Sequence, residues 1–274
     1  MGRGAAALRG ILGVGAATAV LEARPPGGAE RWERRNYADR PVSLLGGLSQ
    51  AVGVSGALLV AGRPGRAAAL AAASAGALGG LDDLTEREGD RHVKGLRGHL
   101  TALRQGQVTT GALKILGIGT GALLASLALP PGRSGSATGR AMHHLSGAAL
   151  IAGSANLLNL FDLRPGRALK VAGGLGTVLA LTGGPGAPVA ATAAGAAIAG
   201  LRDDLTERTM LGDTGANALG ATIGTALAAH PSRTLRGSAL AAVIGLTLLS
   251  EKVSFSRVIE DTPALEALDR WGRR

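Results

Sequence analysis

Residues 141–162 read AMHHLSGAALIAGSANLLNLFD, an apolar run that carries no acid until its last residue. Asn156, Asn159 and Asp162 follow one another at intervals of three, which on a helix stacks two amides and a carboxylate along one face. Polar groups inside an apolar helix face a partner or a cavity. For either asparagine alone, hydrogen bonding between helices is an equal alternative.

Working outward, the same texture covers the chain. Of 274 residues, 46% are hydrophobic and 18% charged, and mean hydropathy is +0.25. Apolar runs recur at nearly even spacing, roughly 5 to 21, 44 to 62, 66 to 81, 108 to 130, 141 to 161, 168 to 182, 186 to 201, 214 to 229 and 235 to 249. They predict an all-α polytopic membrane bundle of about nine transmembrane helices, residues 1–274 forming one integral membrane domain. Several runs fall short of the ~20 residues an untilted span needs, so those helices tilt little or sit in thinned bilayer. The first run, behind Arg3 and Arg9, also reads as a signal peptide, although no small-x-small cleavage site precedes Arg24. Aromatics are 2%, so interfacial belts are nearly absent, and 45 glycines with abundant alanine let helices approach closely. With no cysteine there is no disulfide, thiolate metal site or thiol nucleophile.

Charge placement tests the nine-span reading independently. With the connection 22 to 43 inside, inner connections hold 20 basic residues and outer segments 8, and Lys114 lies within the fourth span. That obeys the positive-inside rule, with the N-terminus outside and the C-terminus cytoplasmic. All 19 carboxylates fall on or at the inner face. The net charge of +10 is spread over these inner loops, which disfavours nucleic acid and suits anionic head groups or a phosphorylated substrate.

Two more polar clusters share that inner face. Asp82-Asp83 ends the third run, and adjacent carboxylates repel unless a cation or shared proton lies between them. The ordinary reading is a solvated helix end. Gly212-Asp213-Thr214-Gly215 opens the eighth run, where free backbone amides and the helix dipole favour anions, and a carboxylate there can hold Mg²⁺. As a lone tetrapeptide it reads as an N-cap.

In order, spacing and sidedness the chain resembles the polyprenyl-phosphate N-acetylhexosamine-1-phosphate transferases, the superfamily of phospho-N-acetylmuramoyl-pentapeptide transferase. The resemblance runs from about Arg35 to about Gly220, through Asn36-Tyr37, Val42 to Gly47, Asp82-Asp83, Lys114, Asn156 to Asp162, and Leu211 to Gly220. It implies a cell-membrane enzyme that transfers a sugar 1-phosphate from a UDP-sugar to a polyprenyl phosphate, releasing UMP, in peptidoglycan or related cell-wall assembly. By resemblance, Asp213 and Asn159 ligate Mg²⁺, Asp82 and Asp83 handle the lipid phosphate, Lys114 contacts diphosphate, and Asn156 and Asp162 line the nucleotide site. Lys114 also reads as a lysine snorkelling to the interface. Donor sugar and assembly state, a homo-oligomer included, are left open.

The chain departs from the family in places. Leu163-Arg164-Pro165-Gly166-Arg167 stands where a second Asp-Gly pair helps hold uridine, and the late histidine- or arginine-rich loop is missing. Lys252 and Arg257 are the candidates to supply some of that charge; His92 and His99 fall in the inner loop 85 to 107, His143 and His144 near the outer end of the fifth run. Asp82-Asp83-Leu-Thr-Glu-Arg87 recurs as Asp203-Asp204-Leu-Thr-Glu-Arg208, and Arg63-Pro-Gly-Arg66 as Arg164-Pro-Gly-Arg167, but offsets of 121 and 101 residues do not support a duplicated domain. A non-catalytic polyprenyl-phosphate-binding or scaffold protein is the alternative, and a small-molecule transporter the third reading.

Overall fold

A computed structural model describes residues 2–36, 39–85, 110–130 and 136–273. Nine long helices lie on the nine apolar runs: α1 (Arg3–Ala23), α2 (Leu45–Leu59), α3 (Gly62–Thr85), α4 (Thr110–Ala128), α5 (Ala137–Phe161), α6 (Arg167–Thr182), α7 (Ala187–Leu205), α8 (Gly212–Ala228) and α9 (Arg233–Ser250). Two short helices, α10 (Phe255–Glu260) and α11 (Pro263–Arg270), follow. The bundle is not purely helical. Strands β1 (Glu33–Arg35) and β2 (Pro41–Ser43) pair antiparallel, with Arg34 opposite Val42. His92, His99 and most of the expected loop 85 to 107 lie outside the described residues.

Helix α8 is the axis of the molecule: fifteen of its seventeen residues are buried. One apolar cluster packs it with α2, α6 and α7, and a second with α3, α4 and α5. Small side chains make this possible. Antiparallel α5 crosses α8 where Gly220 and Gly224 rest on the main chain of Ser154–Ala155 and Leu150–Ile151. Thr222 and Thr225, both fully buried, return their hydroxyls to the Ala218 and Ala221 carbonyls, so neither hydroxyl is left bare inside. Helix α1 belongs to the same packing, with Gly10 against Thr192 and Ala196 of α7 and Gly13 against Gly53 of α2.

The large aliphatics point the other way. Leu12, Leu59, Leu116, Leu181, Ile198 and Leu248 are each about 60% exposed or more, whereas Gln50, Thr192, Asn217 and Thr222 are buried. Among the described residues, α1 alone is both long and apolar enough by itself to cross a membrane; α2 and Leu113–Ala128 are apolar but shorter. Helices α3 and α5, at 24 and 25 residues, have the length, but glycine, serine and charged ends dilute them.

Because neighbouring helices alternate in direction, the C-termini of α1, α3, α5, α7 and α9 meet the N-termini of α2, α4, α6 and α8 at one end. Every described carboxylate belongs to this acidic end, as does the β1–β2 hairpin.

Candidate active site

The segment Leu211–Thr214 organises the acidic end. β2 anchors its approach: Met210 N donates to Ser43 O at 2.9 Å, and Gly47 N donates to Met210 O at 3.1 Å. Helix α8 then starts without a capping side chain of its own. An aspartate from another helix end takes its amides: Asp83, at the end of α3, accepts from Asp213 N at 3.1 Å and Thr214 N at 2.9 Å. Asp162 and Asp204, at the ends of α5 and α7, line a cleft with Leu211, and Asp204 accepts from Gly166 N, at the start of α6, at 2.5 Å. The Thr214 hydroxyl adds a third bond to Asp83, at 2.6 Å.

Sequence alone suggests free amides here, open to an anionic ligand; in the structure the chain's own Asp83 carboxylate takes two of them. The helix dipole attracts negative charge as expected, and that charge comes from within the protein. Backbone geometry makes the arrangement fit. Gly212 sits at φ +58°, and a Cβ there would press on Asp83 Oδ2 and Leu44 Cδ2 at 3.0 Å. A Cβ on Gly79 would fall 2.5 Å from the Asp213 carbonyl carbon, so α3 reaches α8 at a point where no side chain fits.

With its amide held by Asp83, Asp213 turns its carboxylate to α4. Lys114 Nζ donates to Asp82 Oδ2 at 3.1 Å and also to Asp213 Oδ2. One ammonium therefore joins carboxylates from α3 and α8. These three side chains are partly exposed, while Asp83 beside them is committed to the main chain. Burial pushes the Asp83 carboxyl above its ordinary range, against the pull of its Thr214 bonds and of Lys114.

Asp162 and Asp204 form the second half of the site. Burial raises Asp162 well above the usual carboxylate range, and the neighbouring Asp204 and Asp83 charges push the same way. Burial likewise takes Asp204, 6% exposed, to about 6 despite its main-chain bond to Gly166. The two line a cleft of about 220 Å³ with Arg35, Asn36, Arg164 and Met210. Asn36 donates to Glu207, which also takes Arg40 at 2.5 Å, so the hairpin closes the cleft's far wall.

The remaining sequence candidates are placed less centrally. Asn159 is half-buried and Asn156 exposed, and neither amide makes a hydrogen bond to a described residue. Asp204 is the residue that sequence reasoning left without a role; the repeated hexapeptide was its only signal. Lys252 and Arg257 form no ion pair among the described residues. The cations at the Asp162–Arg167 turn are instead Arg167, 3% exposed and bidentate to Asp269 at 2.7 and 2.9 Å, and Arg273, which donates to Pro165 O at 3.0 Å and pairs with Asp269 at 2.6 Å. With Phe255 stacked on Phe161, α10 and α11 are clasped over that turn.

For a metal, no group of three or more histidine, cysteine, aspartate or glutamate side chains among the described residues is placed to hold an ion. The Asp82–Asp213 pair nevertheless suits Mg²⁺, which takes one or two carboxylates and completes its shell with phosphate oxygens and water. Two hard oxygen donors here already share one cation. Compared with known proteins, the chain matches no family model and no curated protein.

Proposed function

We propose that this chain is an integral membrane transferase that moves a sugar 1-phosphate from a UDP-sugar to a polyprenyl phosphate and releases UMP at the cytoplasmic face. One observation carries the reading: Asp82, Lys114 and Asp213, distant in sequence, share a charge centre at the acidic end of a bundle whose outer surface is aliphatic. An exterior of leucine and isoleucine over an interior of alanine, glycine and threonine suits lipid, since in water such a continuous apolar surface invites association.

The chemistry needs such a centre. A lipid phosphate oxygen attacks the sugar-bearing phosphorus of the donor, the P–O bond to UMP breaks, and the electron pair leaves with UMP. Both reactants are anions, so the ammonium of Lys114 offsets repulsion and steadies the diphosphate as charge moves to the leaving group. Asp213 is the Mg²⁺ ligand best supported, with Asp82 facing it and Asn159 near the end of α5; the ion, when bound, polarises the phosphoryl oxygens. Asp83 works through Asp213, fixing the turn from which that carboxylate projects. The cleft beside Asp162 is open to the donor, although 220 Å³ is below the roughly 300–1,000 Å³ of ordinary ligand pockets.

That small cleft, and the tail fastened over the turn after Asp162, favour one second reading: a relative that binds polyprenyl phosphate without turnover. Purified protein with Mg²⁺, undecaprenyl phosphate and a panel of UDP-N-acetylhexosamines decides between them. The transferase yields UMP and a lipid diphosphate sugar; folded protein that retains the lipid and yields no UMP with any donor is the binding protein.

A further inference from the structure

The far end of α8, roughly 25 Å along its axis from Asp213, carries a site of opposite character. The C-terminus of α4, the first turns of α5 and α9, and residues 228–231 enclose a cavity of about 590 Å³. Its floor is apolar, with Leu129, Leu150 and Leu240; its polar wall is His143, Ser146, His230, Arg233 and Arg236, and among the described residues no carboxylate lines it.

Ser232 N donates to His230 Nδ1 at 3.1 Å, so the neutral ring carries its proton on Nε2, which is enclosed within the wall and has no acceptor among the described residues. Arg236 donates to His143 Nδ1 at 2.6 Å and to His143 O at 3.1 Å, which fixes the guanidinium. Arg233 is exposed and makes no ion pair among the described residues. Two guanidinium groups thus border a cavity with no counter-charge among the described residues.

We propose that this cavity binds a phosphate group, presented either by a phospholipid headgroup whose chain lies on Leu129, Leu150 and Leu240 or as free phosphate. Arg233 and Arg236 supply charge in the fork geometry that suits phosphate oxygens. The site is independent of the proposed transfer, because it shares no residue with the acidic end.

The test uses the full chain in detergent, with native mass spectrometry after incubation with phosphatidic acid or with diacylglycerol of the same acyl chains. Phosphatidic acid should be retained and diacylglycerol not, and Arg233→Ala, which removes no internal contact, should cut retention at least 5-fold. Asp82→Asn should leave it unchanged. Thermal stability in inorganic phosphate against chloride at equal ionic strength identifies the source: stabilisation by phosphate that Arg233→Ala abolishes, without phosphatidic acid retention, assigns the site to the free ion. The proposal is overturned if neither probe is bound, if diacylglycerol is retained as well as phosphatidic acid, or if Asp82→Asn rather than Arg233→Ala removes the binding.

Discussion

The hexapeptide Asp-Asp-Leu-Thr-Glu-Arg ends two helices, and the two copies divide their labour in a way their sequence does not reveal. In both, the second aspartate takes main-chain amides at a helix start: Asp83 those of Asp213 and Thr214 at α8, Asp204 that of Gly166 at α6. The first aspartates differ. Asp82 shares the Lys114 ammonium with Asp213, whereas Asp203 pairs with Arg208 on the surface at 2.6 Å. Structural duty follows position in the motif, and reactive duty follows what the neighbouring helix brings. Only the copy on α3 has a lysine opposite it.

Breaking the comparison at the first aspartate gives the largest effect. Asp82→Asn or Asp213→Asn should lower UMP release by ~10³-fold or more, about 4 kcal/mol of transition-state stabilisation, while Asp203→Asn should stay within about 2-fold. Equal losses from Asp82 and Asp203 would remove Asp82 from the reacting centre. At the second aspartate the copies should behave alike. Asp83→Ala strands two amides and a hydroxyl, Asp204→Ala one buried amide, so they should cost about 2–4 and about 1–3 kcal/mol of stability by denaturant titration at pH 5. A negligible cost at Asp83 would show that α8 does not need its foreign cap.

Proton linkage separates the second aspartates further. Asp204 rises from 3.8 to about 6 on folding, so its stabilising contribution is complete below pH 3.8 and fades as pH climbs through 6. Wild type should therefore lose about 2 kcal/mol between pH 4 and 7 relative to Asp204→Asn. Asp269 runs oppositely: burial opposes its charge, but Arg167 and Arg273 prevail and lower it, so its contribution fades only below about pH 4. A wild-type melting profile parallel to that of Asp204→Asn from pH 4 to 7 would refute the assignment.

The helices were legible because apolar runs punctuated by glycine, proline and charge are local signals, and α1 to α9 fall on them. The hairpin was not, since strands of three residues carry too little alternation to register. Asp82, Asp83, Asp162 and Asp213 stood out by sitting at the ends of apolar runs. What those side chains hold did not, because main-chain amides offered by a distant turn have no residue signature: any sequence has them. Asp204 shows the limit most clearly. Its hexapeptide was visible, but only the fold brings the end of α7 against Gly166 and Leu211. The clasp of Arg167 on Asp269 spans 102 residues and obeys no period at all.

The smallest expected effect tests the surface half of the comparison. Asp203 lies between Arg208 at 2.6 Å and solvent, and Arg208 also reaches Glu22 at 3.3 Å, with the guanidinium side chain 56% exposed. An ion pair that well hydrated gives back in desolvation and side-chain ordering most of what it gains, so Asp203→Ala should change stability by no more than about 1 kcal/mol. Salt should erase even that, since screening acts on exposed pairs first. If Asp203→Ala instead destabilises as strongly as Asp204→Ala at high salt, the turn through Glu207 and Arg208 depends on Asp203 for its shape. The two first aspartates would then both be structural, and the asymmetry between the copies would rest on Lys114 alone.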